Sequence, residues 1–402
     1  MIAEPNSTRT ADYRWLLVPL AIFIITRSAI FIVGYSGRLL FLDEIGKGPW
    51  HSHYANTGLD IWDRWDSIYY RGIARDGYSY DSSDTYSVVV FFPIYPLLMR
   101  AAAAVFRDLT WAGVVVSHLC LLGALIFLYR LALFETDDEP TARRAILYIS
   151  IFPTAFFFGA VYSESAFLLF AAGAVYFARR RLWLPAALLG MAASATRVIG
   201  LALYVFLLVE WWQVNAHVVR VWFSRDVRPA VGETRRALGA LLLVQLSALG
   251  LFLYMAYLQL RFGNPLLFLD AQAAWNKGVG ASPWHVLNDL AVGIRQMTQT
   301  IPIAARWVLP DVISGLSALI VVPFIWRRFG FNYALFTILC VLVPILSGNT
   351  QSLFRYVLVV FPMFFMLAHW GRNDYVDKAI VVTSCVLLGL FFTVFANWGW
   401  VA

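Results

Sequence analysis

Apolar runs of roughly 15 to 25 residues recur along the chain, separated by short polar or arginine-bearing breaks. They fall at about residues 15–34, 111–133, 145–162, 163–179, 182–196, 198–212, 237–260, 309–327, 331–347, 354–370 and 378–396. Runs of this length suit helices that cross a bilayer, whereas a lipid-facing strand would alternate over about ten residues. The pattern predicts an all-α integral membrane protein with about eleven transmembrane helices. The first run follows a polar start bearing Arg9 and Arg14 and shows no small-residue cleavage site, so it reads as a span. No repeat of 20 to 50 residues is visible, and residues 1–402 read as a single polytopic domain.

The stretch Phe91 to Phe106 is apolar but carries Pro93, Pro96 and Arg100. If it crossed the membrane, every later loop would change sides, and Arg179, Arg180, Arg181 and the arginine-rich stretch Arg220 to Arg236 would lie outside. That arrangement opposes the positive-inside bias. Read as an external interfacial helix, it keeps Arg143, Arg144, Arg327, Arg328 and Arg372 inside as well. On this parity residues 35–110 form an external catalytic loop with interfacial helices, 213–236 a cytoplasmic basic loop, and 261–308 an external loop on the substrate side.

Composition agrees with the pattern. The chain of 402 residues is 60% hydrophobic and 14% charged, with 16 Trp, 19 Tyr and 31 Phe; soluble proteins carry about 25% charge. A water-soluble globule, a disordered chain and a nucleic-acid module are excluded. The formal charge of +7 resides largely in arginines at the ends of apolar runs, where it reports orientation and not a polyanion partner. Cys120, Cys340 and Cys385 each sit inside an apolar run, as small core residues rather than disulfide or zinc partners.

Chemistry concentrates in the predicted external segments. Over residues 61–81 a helical reading puts Trp62, Trp65 and Tyr69 on one stripe and Asp63, Asp66 and Tyr70 on an adjoining one. Two readings stand: an interfacial aromatic belt with solvated aspartates, or a loop that holds acids at the height of lipid phosphates. Glu164, in Tyr162-Ser163-Glu164-Ser165, is either part of a turn capped by Ser163 or an acid facing a polar cavity. Arg197 at a hairpin tip and Arg355 before Tyr356 are either phosphate ligands or snorkelling anchors. Asn264, Pro265, Asp270, Gln272, Trp275 and Lys277 follow residue 261, and Gln272 with Trp275 suits sugar recognition, unless these are ordinary loop residues. His51 and His53 alone do not make a metal site.

The string Arg64-Trp65-Asp66, with Tyr70, Ile73-Ala74, Gly77-Tyr78 and Phe92-Pro93-Ile94-Tyr95-Pro96, resembles the PIG-V family of polytopic mannosyltransferases. That family includes the enzyme adding the second mannose of GPI anchors, and bacterial relatives. The resemblance continues through Phe152 to Phe157, Tyr162 to Ser165, Thr196-Arg197 with Gly200, and Arg355-Tyr356 with Phe361-Pro362. It implies a GT-C glycosyltransferase fold, a polyprenyl or dolichyl phosphate-mannose donor, a glycolipid or glycan acceptor, inversion at the anomeric carbon, and a catalytic role for Asp66. Thr196-Arg197-Val198-Ile199-Gly200 departs from the Arg-Ser-Asn-Gly form of the eukaryotic members, which favours a bacterial relative in the plasma membrane with an external active site; a eukaryotic member would lie in the endoplasmic reticulum.

Residues and resemblance together make Asp66 the general base, Asp63 its orienting or pKa-tuning neighbour, and Glu164 a supporting acid. Arg355 and Arg197 bind the donor phosphate; Trp62, Trp65, Tyr69, Tyr70, Gln272, Trp275 and Tyr356 contact sugar or acceptor. A single phosphate as leaving group requires no divalent metal, so no cofactor is expected. The competing readings are a flippase or transporter of lipid-linked sugars, which often shows repeated halves with broken helices, and a GT-C enzyme using another sugar. In a cysteine-free background, Ser82→Cys and Ser224→Cys should react with an impermeant maleimide from opposite faces of sealed vesicles; labelling of both from one face contradicts the parity.

Overall fold

The computed structural model describes residues 13–41, 56–81, 87–222, 231–275, 277, 284, 288–289, 291–292, 308–348 and 350–401. Regular structure among them is entirely helical. Among the described residues six helices are long and apolar enough to cross a membrane: Tyr13–Leu40, Leu109–Thr136, Gly200–Val221, Val231–Phe262, Val308–Phe329 and Asp374–Ala396. A bent pair, Leu353–Val359 and Phe361–Trp370, makes a seventh if its two arms, 76° apart, count as one span. The other predicted runs are shorter helices, Glu139–Ile151, Glu164–Arg179, Trp183–Ser194 and Phe331–Ile345. At about 1.5 Å per residue they reach roughly 18 to 24 Å, less than the ~30 Å of a hydrocarbon core. The eleven runs are thus eleven helical segments, six or seven of them of spanning length among the described residues.

Two runs break where proline intervenes. The 145–162 run stops at Ile151, with Phe152 extended before Pro153, and resumes as a 3₁₀ turn at Ala155–Phe158. The freed carbonyls at this break meet a cation: Arg27, buried in the first helix, donates to Ser150 O at 2.6 Å and Ala155 O at 2.9 Å. The 354–370 run divides at Val360, just before Pro362. Helices also run further into the predicted basic loop than expected, ending at Trp222 and restarting at Val231, with residues 223–230 outside the described set.

Ile94–Phe106, the segment read as interfacial, is a 13-residue helix. It is held by Arg100, which donates to the carbonyls of Ala74 and Ile73 at 2.6 and 3.2 Å, and so packs on the preceding helix Ser67–Asp76.

Small residues let the shorter helices approach the long ones closely. Trp183–Ser194 lies on Val231–Phe262 where a Cβ at Gly250 would come 2.0 Å from Met191 O and 2.6 Å from Ser194 Oγ. Gly250→Ala should therefore cost roughly 1 to 3 kcal/mol and lower the melting temperature of the purified protein in detergent. Gly239→Ala, which meets open space, should leave the melt unchanged or slightly raised.

Candidate functional site

The first loop is shaped by a buried arginine. Arg64 donates from Nε and Nη2 to Ala396 O at 3.1 and 2.8 Å, pairs with Asp60 at 2.5 Å, and lies 4.5 Å from the Trp398 ring centroid. The chain then turns at Trp65, whose φ of 51° is left-handed, and enters the helix only at Ser67. The single helical stripe expected for Trp62, Trp65 and Tyr69 does not form, because the turn at Trp65 interrupts it. Trp62 is 3% exposed and packs against His118 and Phe392 in the core. Trp65 packs edgewise on Trp398 and Trp400, and Tyr69 stacks on Phe91.

Asp63 and Asp66 likewise separate. Asp63 pairs with Arg71 at 3.1 Å and accepts from Thr110 Oγ1 at 3.1 Å. Burial pushes its carboxyl up, Arg71, Thr110 and Arg64 oppose the shift, and Asp60 reinforces it.

Asp66 instead enters a chain of alternating charges. Its Oδ2 accepts from Arg355 Nη1 at 2.7 Å; Arg355 Nε lies 3.4 Å from Glu164 Oε1, which accepts from Arg197 Nη1 at 2.6 Å. The Asp66 amide donates to Tyr162 Oη at 3.1 Å, and that hydroxyl donates to Arg64 O at 3.2 Å. Glu164 opens the helix Glu164–Arg179. Ser163 does not cap that helix with its side chain; its hydroxyl accepts from Arg197 at 3.3 Å and hydrogen-bonds Tyr70 Oη at 2.8 Å. Burial and the nearby Glu164 push the Tyr70 phenol well up, so it stays protonated. Arg197 occupies the turn between Ser194 and Gly200; a Cβ at Gly200 would come 2.4 Å from Ser194 Cα, so the tight turn needs glycine there.

These residues open onto a cavity of about 540 Å³ lined by Asp66, Tyr70, Arg197, Gln272, Arg355 and Tyr356 from the sequence-predicted set. Asp63, Glu164, Trp62, Trp65 and Tyr69 stand outside the lining. The side chain of Trp275 and the pair His51 and His53 lie outside the described residues. Aromatic and aliphatic walls, among them Phe91, Phe92, Phe268, Val343 and Leu346, complete the enclosure.

Asp311 and Trp400 escaped the sequence reading of the site, and Lys277 entered it only as a residue of its loop. Lys277 donates to Tyr356 Oη and to Gln351 O, both at 3.1 Å, so a third cation joins Arg197 and Arg355 around the Tyr356 ring. Asp311 accepts from the backbone of Ser352 and Phe354 at 3.2 and 2.8 Å and fixes the turn that presents Arg355; an aspartate near the start of an apolar run was the available signal. Trp400 lines the cavity from beyond the final helix, and two tryptophans flanking Gly399 were its only mark.

A family model described as mannosyltransferase (PIG-V) matches residues 19–265. A relative, GPI mannosyltransferase 2 of Drosophila pseudoobscura pseudoobscura, is 29% identical over 135 residues, which are 30% of this chain and 28% of that enzyme. The match thus spans under a third of the relative's length. Among solved structures, the Archaeoglobus fulgidus oligosaccharyltransferase is similar in its apo form at 14% identity and TM-score 0.42, covering 96% of this chain and 56% of that one. Its complex with zinc and sulfate gives 13% identity, TM-score 0.43, and 95% and 53% coverage.

Glu164→Gln leaves Arg197 and Arg355 side by side with one carboxylate between them removed. The substitution should cost about 3 to 5 kcal/mol, read as a lowered melting temperature of the purified protein.

Proposed function

The chain belongs to the mannosyltransferase (PIG-V) family, and from that premise we propose that it is a membrane glycosyltransferase that moves mannose from a polyprenyl or dolichyl phosphate donor to a lipid-linked or other glycan acceptor. The observation that carries this reading is the contact of Asp66 with Arg355 at a cavity that also presents Arg197 and Lys277. A base and an anion clamp stand together there, walled by apolar side chains suited to a lipid.

The donor phosphate binds Arg355 and Arg197, with Lys277 beside them. The acceptor hydroxyl attacks the anomeric carbon as the bond to the phosphate oxygen breaks; the electron pair leaves with the lipid phosphate, and the acceptor proton passes to Asp66. Attack from the face opposite the leaving group inverts the centre, so a β-linked donor yields an α-linked product. Before the donor arrives, Arg355 pairs with Asp66 at 2.7 Å. As negative charge grows on the phosphate, the guanidinium hydrogen bonds to it strengthen. The chemistry calls for no metal, because the leaving group is a single phosphate countered by guanidinium and ammonium groups. On the positive-inside parity the site faces away from the cytoplasm, outside a bacterial plasma membrane or in the lumen of the endoplasmic reticulum.

One feature favours a transporter of lipid-linked sugars: the 76° break between Leu353–Val359 and Phe361–Trp370, beside Arg355. The two readings separate in one assay, single-turnover transfer from radiolabelled polyprenyl phosphate-mannose to membrane glycolipid by the purified protein. Asp66→Asn should lower the rate by roughly 10² to 10⁴; it also lowers the melting temperature, because Arg355 loses its nearest carboxylate, so rates are compared well below both melts. Asp63→Asn, whose partners are Arg71 and Thr110, should reduce the rate far less. No transfer by the wild type, with lipid movement across vesicles intact, sinks the enzyme in favour of the transporter. Transfer from a glucosyl or arabinosyl lipid in preference to the mannosyl one changes the sugar and keeps the mechanism.

A further inference from the structure

We infer that Trp400 is the platform on which the transferred sugar rests, and that the segment after the last helix serves to hold it in the cavity wall. The inference rests on the donor reading above.

The segment is built with some constraint. Asn397 is fully buried; its Nδ2 donates to Gly37 O at 3.2 Å and Thr393 O at 2.9 Å, and its Oδ1 accepts from Arg38 at 3.4 Å. Trp398 takes a left-handed φ of 63° beneath the Arg64 guanidinium. Gly399 donates to Val394 O at 2.8 Å, and a Cβ there would come 2.3 Å from Val394 Cγ1, so the reversal excludes any other residue without movement. Val401 is buried behind it. The result is that Trp400, partly exposed, joins Asp66, Arg355 and Tyr356 in lining the cavity. Trp65, which is not part of the lining, packs at 83° to it with centroids 5.2 Å apart. Trp65 thus acts through Trp400 as a positioning residue, which relocates the sugar contact expected of the loop.

The cavity's polar groups divide the work. Arg355, Arg197 and Lys277 suit a phosphate, but they offer nothing to the apolar C–H face of a pyranose. An indole does, through its area and its electron-rich face. Trp400 is the tryptophan of this lining among the described residues, and it packs on Trp65, the residue before Asp66.

The test titrates purified full-length protein in detergent with polyprenyl phosphate-mannose and, separately, with polyprenyl phosphate, by calorimetry. Wild type should prefer the mannosylated lipid. Trp400→Leu should weaken its binding about tenfold, which is 1.4 kcal/mol, while polyprenyl phosphate binding stays within about twofold. Trp400→Phe should retain most of the preference, and Trp400→Met replaces the leucine variant if that one does not fold. Equal weakening toward both lipids, or none toward either, overturns the platform and leaves the donor reading standing. A wild type that binds neither lipid, or both alike, brings down the donor reading and the platform together.

Discussion

A charge buried in an apolar helical protein survives only with a countercharge in contact, and that requirement organises the site. Asp66, Arg355, Glu164 and Arg197 alternate in sign and come from four separate parts of the chain: the first loop, a broken helix, the start of a short helix and a hairpin turn. Removing any one leaves a partner uncompensated at several kcal/mol. The same condition draws the polar loop down onto the bundle, because Asp66 and Arg355 each satisfy the other only there. Glu164 Oε2 is buried without a hydrogen bond among the described residues, so the chain is not fully satisfied by itself.

A second set of buried charges sets the angle at which the loop arrives. Arg64 and Arg38 share Asp60 and bind the end of the last helix at Ala396 and Asn397. The first helix, the loop and the segment after the last helix are therefore tied to one another. Asp66 stands one residue beyond the left-handed turn at Trp65, and the neighbouring Trp400 depends on the same anchor. A substitution at Arg64 would be felt at both walls of the cavity.

The far end of the helix Glu164–Arg179 is tied in a similar way. Arg179 bonds Glu135 at 2.6 Å and Glu210 at 2.9 Å; Tyr333 donates to Glu135 and Asn332 to Glu210. One arginine of the triplet at 179–181 thus joins four helices, while Arg180 and Arg181 are exposed as an orientation signal would be. A helix of 16 residues, about 24 Å long, carries an ion-pair junction at each end, one facing the cavity and one closing the opposite side.

Apolar run lengths were enough to establish an all-helical membrane protein, because helix is the open-ended way to satisfy a backbone in lipid. Arg197 and Arg355 drew attention as charges interrupting apolar runs, which must answer to something, whereas Asp66 was singled out through the family resemblance. Pairing was not legible: Asp63 and Asp66 are three residues apart, yet one meets Arg71 and the other Arg355, 289 positions away. The positive φ at Trp65 redirected its neighbours, and no local pattern announces such a turn, because tryptophan does not favour it. Which arginine meets which acid, and that Trp400 reaches the same cavity as Asp66, follow from how helices distant in sequence cross. Periodicity measures distance along one helix and carries no information about its neighbours, so those contacts were decided by tertiary packing alone.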